Sequence, residues 1–450
     1  MEMINPENDM RSIFSHALRR VDPYEMIIRS MSVENDTLVI SHGAGTLRED
    51  LRSYRDIMVL GIGKASSKMG MAMEEILGER ISRGAVVTKY GHAEPLKSIQ
   101  VMQAGHPIPD KNSVAGARAL FDLASGADEK TLIINLVSGG GSALFSLPPE
   151  GISLKDKQAA TKVLLESGAD IGEINCIRKH LSQVKGGLFA RAAFPARMIN
   201  IILSDVVGDR LDTIASGIAV PDDTTYDQAL DIVNRYHIRD RLPASVVDYL
   251  ESGKKGEVPD TPKQGDPVFD RVLNILLGNN LAACIAARDH GVSLGYRAVL
   301  LTSTLTGEAR EAAKFFAAIA RDIRKGTADF ARPALILAGG ETTVTIRGTG
   351  KGGRNQEMVL SFLNEFSGNQ TGLEGIYFLS AGTDGTDGPT DAAGALIGPD
   401  LLHEAARLGL NPGAYLGNND SYHFFEQAGG LFITGPTNTN VCDIQLMIVT

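Results

Sequence analysis

Lys64 stands in Gly61-Ile62-Gly63-Lys64-Ala65-Ser66, between a short apolar run and a helical pattern. A helix N-terminus disfavours a cation. A lysine placed there points to an anionic partner, a phosphate or a carboxylate; the plain reading is a solvated side chain. Ser138-Gly139-Gly140-Gly141-Ser142 ends the apolar run Leu132 to Val137. Consecutive glycines turn the backbone sharply and present N–H groups with no Cβ in the way. That suits a phosphate cradle, or simply a tight strand-to-helix turn. Asp205 and Asp209 follow another apolar run, Ile199 to Leu203. Mg²⁺ takes one or two carboxylates together with phosphate oxygens, although aspartates that cap the next turn fit the same spacing.

The second half has its own chemistry. Gly350-Lys351-Gly352-Gly353-Arg354-Asn355-Gln356-Glu357 offers backbone N–H groups, an arginine and an amide just before an expected helix, 357–366. The planar arginine fork suits a phosphoryl group or a carboxylate. Thr383 to Asp391 holds Asp384, Asp387 and Asp391, the last readable as a first-turn helix acid. In the first half, Arg178 and Lys185 fall on one face of an expected helix, roughly 10 Å apart along its axis. They read as a solvated basic stripe or as a pair of cations lining an anionic cleft. There is no H-E-x-x-H, no G-x-S-x-G, no Walker A loop and no metal-spaced Cys/His cluster. His92, His106 and His180 make no recognisable triad and read as structural.

These residues sit where apolar runs stop, so strands must position them. Strand and helix patterns alternate along the chain, the signature of a parallel sheet covered by helices. In such sheets ligands bind at the carboxyl ends of strands. A glycine- and proline-rich polar stretch, residues 253–267, reads as a linker. The expected organisation is an α/β protein of two domains, residues 1–252 and 268–450. The first is a doubly wound, Rossmann-like, mostly parallel sheet and the second a smaller mixed sheet, with the active site in the cleft between them. Helices are expected over 153–168 and 173–194, and a half-exposed strand over 342–346.

A chain of 450 residues favours two cores. Its net charge of −10 argues against nucleic-acid or membrane-surface binding. No leader-like segment and no apolar stretch long enough to span a membrane is apparent. Cys176, Cys284 and Cys442 lie far apart and read as small buried hydrophobes of a reducing, cytoplasmic protein. Glycine cradle, lysine, arginine and strand-end aspartates together describe phosphoryl transfer, which needs positioning and charge neutralisation more than a covalent nucleophile.

Longer motifs carry a resemblance. They include GIGKAS (61–66), VTKYGHAE (87–94), AGHPIPD (104–110), LVSGGGSALF (136–145), INCIRKHLSQVKGG (174–187) and LSDVVGDRLDTIASG (203–217). GGETTVTI (339–346), GGRNQE (352–357), SAGTDGTDGPTDAAG (380–394), NNDSY (418–422) and ITGPTNTNV (433–441) continue them. Across nearly its whole length the chain resembles the class II glycerate 2-kinases, whose C-terminal half is the MOFRL domain. The resemblance implies phosphorylation of D-glycerate at its 2-hydroxyl by ATP with Mg²⁺, giving 2-phosphoglycerate and ADP. It implies Lys64 and Arg354 as the active-site pair. On that reading Ser138, Gly139, Gly140, Gly141, Ser142, Lys185 and Asp205 hold ATP phosphates, and Asp205 or Asp209 meets Mg²⁺. Arg178, Glu341, Asn355, Asp384 and Asp387 are then the candidate substrate ligands, in a monomer or homodimer whose partners are small molecules. The runner-up is an NAD(P)H-dependent hydroxypyruvate reductase, a label some relatives carry; the third glycine of its fingerprint, G-x-G-x-x-G, is here Ser66. A non-catalytic sugar-acid binding protein is a third reading, but it leaves most polar strand ends without a task.

Overall fold

A computed structural model describes residues 5–367 and 372–450. The chain forms two compact units: Pro23–Leu277 is the first, and Gly278–Thr450 with the N-terminal stretch up to Asp22 is the second. Neither expected boundary coincides with this division. Residues 253–267 are no linker between the units, because side chains tie the stretch down inside the first. His180 Nε2 lies 3.0 Å from Asp260, Thr261 Oγ1 donates to Asp222 at 3.0 Å, and the Asp222 N–H donates to Pro262 O at 3.0 Å. The strand that follows, Val272–Gly278, forms the edge of the first sheet. At the other end, the helix Pro6–Arg20 belongs to the second unit: Phe14 meets Phe432 edge-on at 5.2 Å, and Tyr296 donates to Asp9 at 2.6 Å. No helix among the described residues is long and apolar enough to cross a membrane.

The first unit is built on six strands in the spatial order Gln100–Ala104, Arg83–Lys89, Asp56–Ile62, Thr131–Val137, Arg197–Leu203, Val272–Gly278. Thr131–Val137 is buried at all seven positions, as a strand covered on both faces must be. The chain runs outward from Asp56–Ile62 in one direction, then returns to lay Thr131–Val137 on its other side. That reversal is the order of a doubly wound dinucleotide-type sheet, and it opens a crevice between the two central strands. Register fixes what enters the crevice. Ile62 pairs with Val87 on one side and Val137 on the other, and Val137 with Ile202. Residues 63–64, 138–141 and 204–205 therefore leave the sheet side by side.

The helix expected over 173–194 breaks into Ile171–His180 and Leu188–Ala193. Between them Gly186 and Gly187 take left-handed φ of 57° and 80°, and their N–H groups donate to Ser216 O and Gly217 O. Arg178 and Lys185 consequently do not share a helical face; Lys185 lies on the connecting loop.

In the second unit six strands are ordered Arg297–Leu305, Ala334–Gly340, Asp443–Val449, Ile376–Gly382, Gly394–Ile397, Leu431–Phe432. The first pair is parallel and Asp443–Val449 runs antiparallel to both its neighbours. Asp443 pairs with Gly340 and with Gly382. The first residue of an antiparallel strand thus lies between the carboxyl ends of its neighbours. Residues 342–346 form no strand; only Thr343 makes an isolated bridge, to Glu308. The Glu308 carboxylate takes the Thr345 N–H and Asn419 Oδ1 takes those of Arg347 and Gly348, so side chains satisfy this backbone.

Candidate functional site

At the switch point of the first sheet the backbone of two loops interlocks. The Lys64 N–H donates to Gly139 O at 2.8 Å, and the Ala65 N–H to Ser138 Oγ at 3.1 Å. Gly63 has φ of 119°, and a Cβ on it would overlap Ser138. Only glycine lets the strand ends approach so closely. Gly140 takes φ of 83°, and a Cβ there would lie 3.3 Å from Lys64 Cε and 2.9 Å from His106 Cδ2. A Cβ on Gly139 would overlap Asp205 Oδ2. Lys64, His106 and Asp205 therefore converge on the bare backbone of Gly139 and Gly140. The N–H groups of Gly139, Gly140, Gly141 and Ser142 donate to no acceptor among the described residues. The serine hydroxyls flanking them have other work: Ser138 accepts from Ala65, and Ser142 Oγ is 2.8 Å from Ser216 Oγ.

Charge at this point is out of balance. Burial pushes the Asp205 carboxyl up, and the Lys64 ammonium pulls it partly back. Burial, then Lys64 and Lys89, pushes His106 down to about 4, so it is neutral at pH 7. His92 is shifted the same way for the same reasons. His106, read from sequence as merely structural, is thus a neutral imidazole beside the glycine loop. The signal was its place in Gly105-His106-Pro107, directly after a strand. Asp209 sits in the next turn with φ of 54°, its N–H on Val206 O. Among the described residues no group of three or more His, Cys, Asp or Glu could hold a metal ion by itself.

The second unit builds around Arg354, the first residue of the helix Arg354–Asn364, which starts earlier than expected. Its Nε and Nη2 donate to Asp443 at 2.6 and 2.9 Å, and its Nη1 lies 2.7 Å from Glu341. Asp443 is fully buried. Burial works against the guanidinium charge, but Asp443, Glu341 and Asp387 raise its pKa on balance. Two of five N–H donors are left to face solvent or a ligand. Asp443 went unnoticed in the sequence, where it merely opens an apolar run.

Two expected substrate ligands belong to the scaffold instead. Asp387 is buried and accepts from the backbone N–H of Asn355 and Gln356 at 3.1 and 2.9 Å, and from both their side-chain amides. The helix has Gly353 at its N-cap with no side chain to offer, and Asp387 supplies the missing acceptor from another loop. Burial nevertheless raises the Asp387 carboxyl to about 6, against the pull of those N–H groups. Asn355, also buried, accepts from Ser380 at 2.6 Å. Asp384 accepts from the backbone and hydroxyl of Thr386, a local turn, and stays half-exposed. Glu357 pairs with Arg310 at 2.5 Å and accepts from Asn419. Of the run from Arg354 to Glu357, Arg354 alone keeps an exposed side. Asn418, Asn419 and Asp420 hold the preceding glycine loop through the N–H groups of residues 347–351.

A family profile described as "Domain of unknown function (DUF4147)" matches residues 9–251, and the MOFRL family matches residues 334–443. A protein of Thermotoga maritima named D-glycerate 2-kinase is 43% identical over 87% of this chain and 90% of its own length. One of Agrobacterium vitis, named putative hydroxypyruvate reductase, is 41% identical over 87% of each chain. The crystal structure of a Thermotoga maritima glycerate kinase superposes with a TM-score of 0.86 at 38% identity, covering 99% of this chain and all of that one.

Proposed function

The chain belongs to the glycerate kinase family with DUF4147 and MOFRL domains, and we propose that it transfers the γ-phosphoryl group of ATP to the 2-hydroxyl of D-glycerate. The new bond joins that oxygen to phosphorus as the bond to the leaving ADP oxygen breaks, and the hydroxyl proton is released to solvent. One observation carries the reading: Lys64, Asp205 and a glycine loop with uncommitted N–H groups meet at the switch point of a doubly wound sheet. Such a loop can wrap phosphate oxygens without steric cost. The Lys64 ammonium neutralises charge on the moving group, and that is the chief need of this chemistry. Arg354, held flat by Asp443, offers its remaining donors to a phosphoryl group or to the acid's carboxylate. Asp205 fits Mg²⁺ carried in with the nucleotide, since that ion needs few protein ligands; when bound it would neutralise phosphate charge.

The reductase name among the relatives makes a second reading worth testing. The stretch Gly61 to Ser66 opposes it. Its third fingerprint position is Ser66, whose hydroxyl bonds Gly63 O at 2.9 Å and Val87 O at 3.1 Å, and a lysine occupies the turn where pyrophosphate would approach bare backbone. Incubation with D-glycerate, ATP and Mg²⁺, followed by enolase, separates the readings. Immediate formation of an enol phosphate identifies 2-phosphoglycerate. A product that enolase takes only after a mutase is added is the 3-phosphate and refutes the 2-position. Oxidation of NADH by hydroxypyruvate without any kinase product would establish the reductase.

A further inference from the structure

Lys157, Arg178 and Lys185 form a cluster of basic side chains in the first unit to which the described residues supply no carboxylate partner. Lys157 is 6% exposed and donates to Leu181 O at 2.7 Å. Lys185 is 2% exposed, with a single long approach of 3.5 Å to Ala215 O. Arg178, half-buried, makes no hydrogen bond or ion pair among the described residues. Burial, and then the Arg178 charge, lowers Lys157 to about 7. Burial, Lys157 and Arg178 push Lys185 well down as well. Lys179, the neighbour of Arg178, shows the ordinary arrangement: it lies 3.2 Å from the buried carboxylate of Asp222. Like charges buried together are unfavourable unless an anion joins them.

The cluster adjoins the glycine loop. Ala215, which Lys185 approaches, packs on Gly141, and its neighbour Ser216 contacts Ser142. Ala215 and Ser216 hold left-handed φ of 49° and 61°. Two successive non-glycine residues in that region store strain. Their conformation aims Ala215 O at Lys185 and Ser216 O at the Gly186 N–H.

We propose that Lys157, Arg178 and Lys185 form a subsite for the nucleotide's polyphosphate, beside the glycine loop. This deepens the kinase reading and rests on it. A multiply charged anion would favour the protonated lysines and pair with all three side chains, whereas a lone carboxylate could meet only part of the cluster. The Arg178 fork also suits phosphate oxygens.

Inorganic tripolyphosphate is the probe, because it carries the charge without adenine or acid. Calorimetric titration and thermal melting of the full-length protein should show saturable, stabilising binding. Arg178→Gln and Lys185→Met should each weaken it at least about tenfold. Both variants should melt no lower than the parent, since each removes a basic side chain whose charged form burial disfavours. Unchanged affinity with a lowered melting temperature would mean the cations are structural and overturn the proposal. So would absence of tripolyphosphate binding to the parent protein, whatever the variants do. Should Lys185→Met not fold, the half-buried Arg178→Gln carries the comparison. In turnover, KM for ATP should rise while KM for glycerate holds; a rise for glycerate alone hands the cluster to the acid's carboxylate and refutes the assignment. The titration needs no turnover, so a protein that phosphorylates no glycerate could still pass or fail it.

Discussion

The two units hold their charged residues in opposite ways. In the second, Arg354 arrives already neutralised, its fork on buried Asp443 and its tip on Glu341. In the first, Lys64 has one half-buried carboxylate nearby, and Lys157, Arg178 and Lys185 have none among the described residues. A satisfied network fixes geometry before any ligand comes. An unsatisfied one keeps a standing electrostatic cost that an anion would relieve. The difference teaches that buried charge can serve aim in one place and appetite in another, and stability should report which.

The largest effect should come from Lys64→Ala. If that ammonium stabilises the moving phosphoryl group, kcat should fall by about 10³-fold with the circular dichroism of the parent retained. Near-parental turnover would remove Lys64 from the reaction. Arg354→Ala should do two things at once. It lowers kcat by about 10²-fold, and it strands the Asp443 carboxylate in the interior at a cost of about 3–5 kcal/mol, readable in urea unfolding. Arg354→Lys should recover part of the stability but little activity, because an ammonium cannot hold Asp443 and a ligand in one plane. A fully stable Arg354→Ala would show that the pair does not organise its unit.

Gly139→Ala tests the close approach in the first unit. Its Cβ would overlap Asp205 Oδ2, so the loop or the carboxylate must move. A loss of roughly tenfold or more in kcat/KM is expected for such a misplacement, with a smaller change in melting temperature. The smallest effect is a pH dependence. His106 is lowered to about 4 in the folded chain from an ordinary 6.5. Between those values the unfolded chain binds the extra proton, so this contribution to stability is complete above pH 6.5 and fades as pH falls toward 4. His106→Gln should narrow the difference in melting temperature between pH 8 and pH 5. An unchanged difference would mean the imidazole is not held neutral.

Much of the site was legible because strands that end in polar residues advertise themselves. Val137 giving way to Ser138-Gly139-Gly140-Gly141, and Leu60 to Gly63-Lys64, located the loops before any coordinates. The strand-to-helix alternation gave the fold class by the same route. The roles inside a motif were harder to read. Asn355 and Asp387 look like ligands in a string of letters, yet the helix N-terminus needs them as acceptors and struts. Asp443 looks like the start of an ordinary strand, yet antiparallel pairing drops it between two strand ends. The linker failed for a related reason: glycine and proline mark irregular backbone, and irregular backbone can still be bound tightly by Asp222 and His180.

The sequence by itself determined which residue types were present for phosphate chemistry and that Lys64, the glycine loop and Asp205 each lay just past a strand. Local chain physics is enough for that, because periodicity and glycine act over a few residues. Only the tertiary structure decided which of them stand together, through the 3-2-1-4-5-6 winding that sets residue 64 beside residue 139. It also decided which are neutralised. A charge's partner is chosen by strand register and burial, across separations such as that of Arg354 from Asp443, and no pattern along the chain encodes so long a reach.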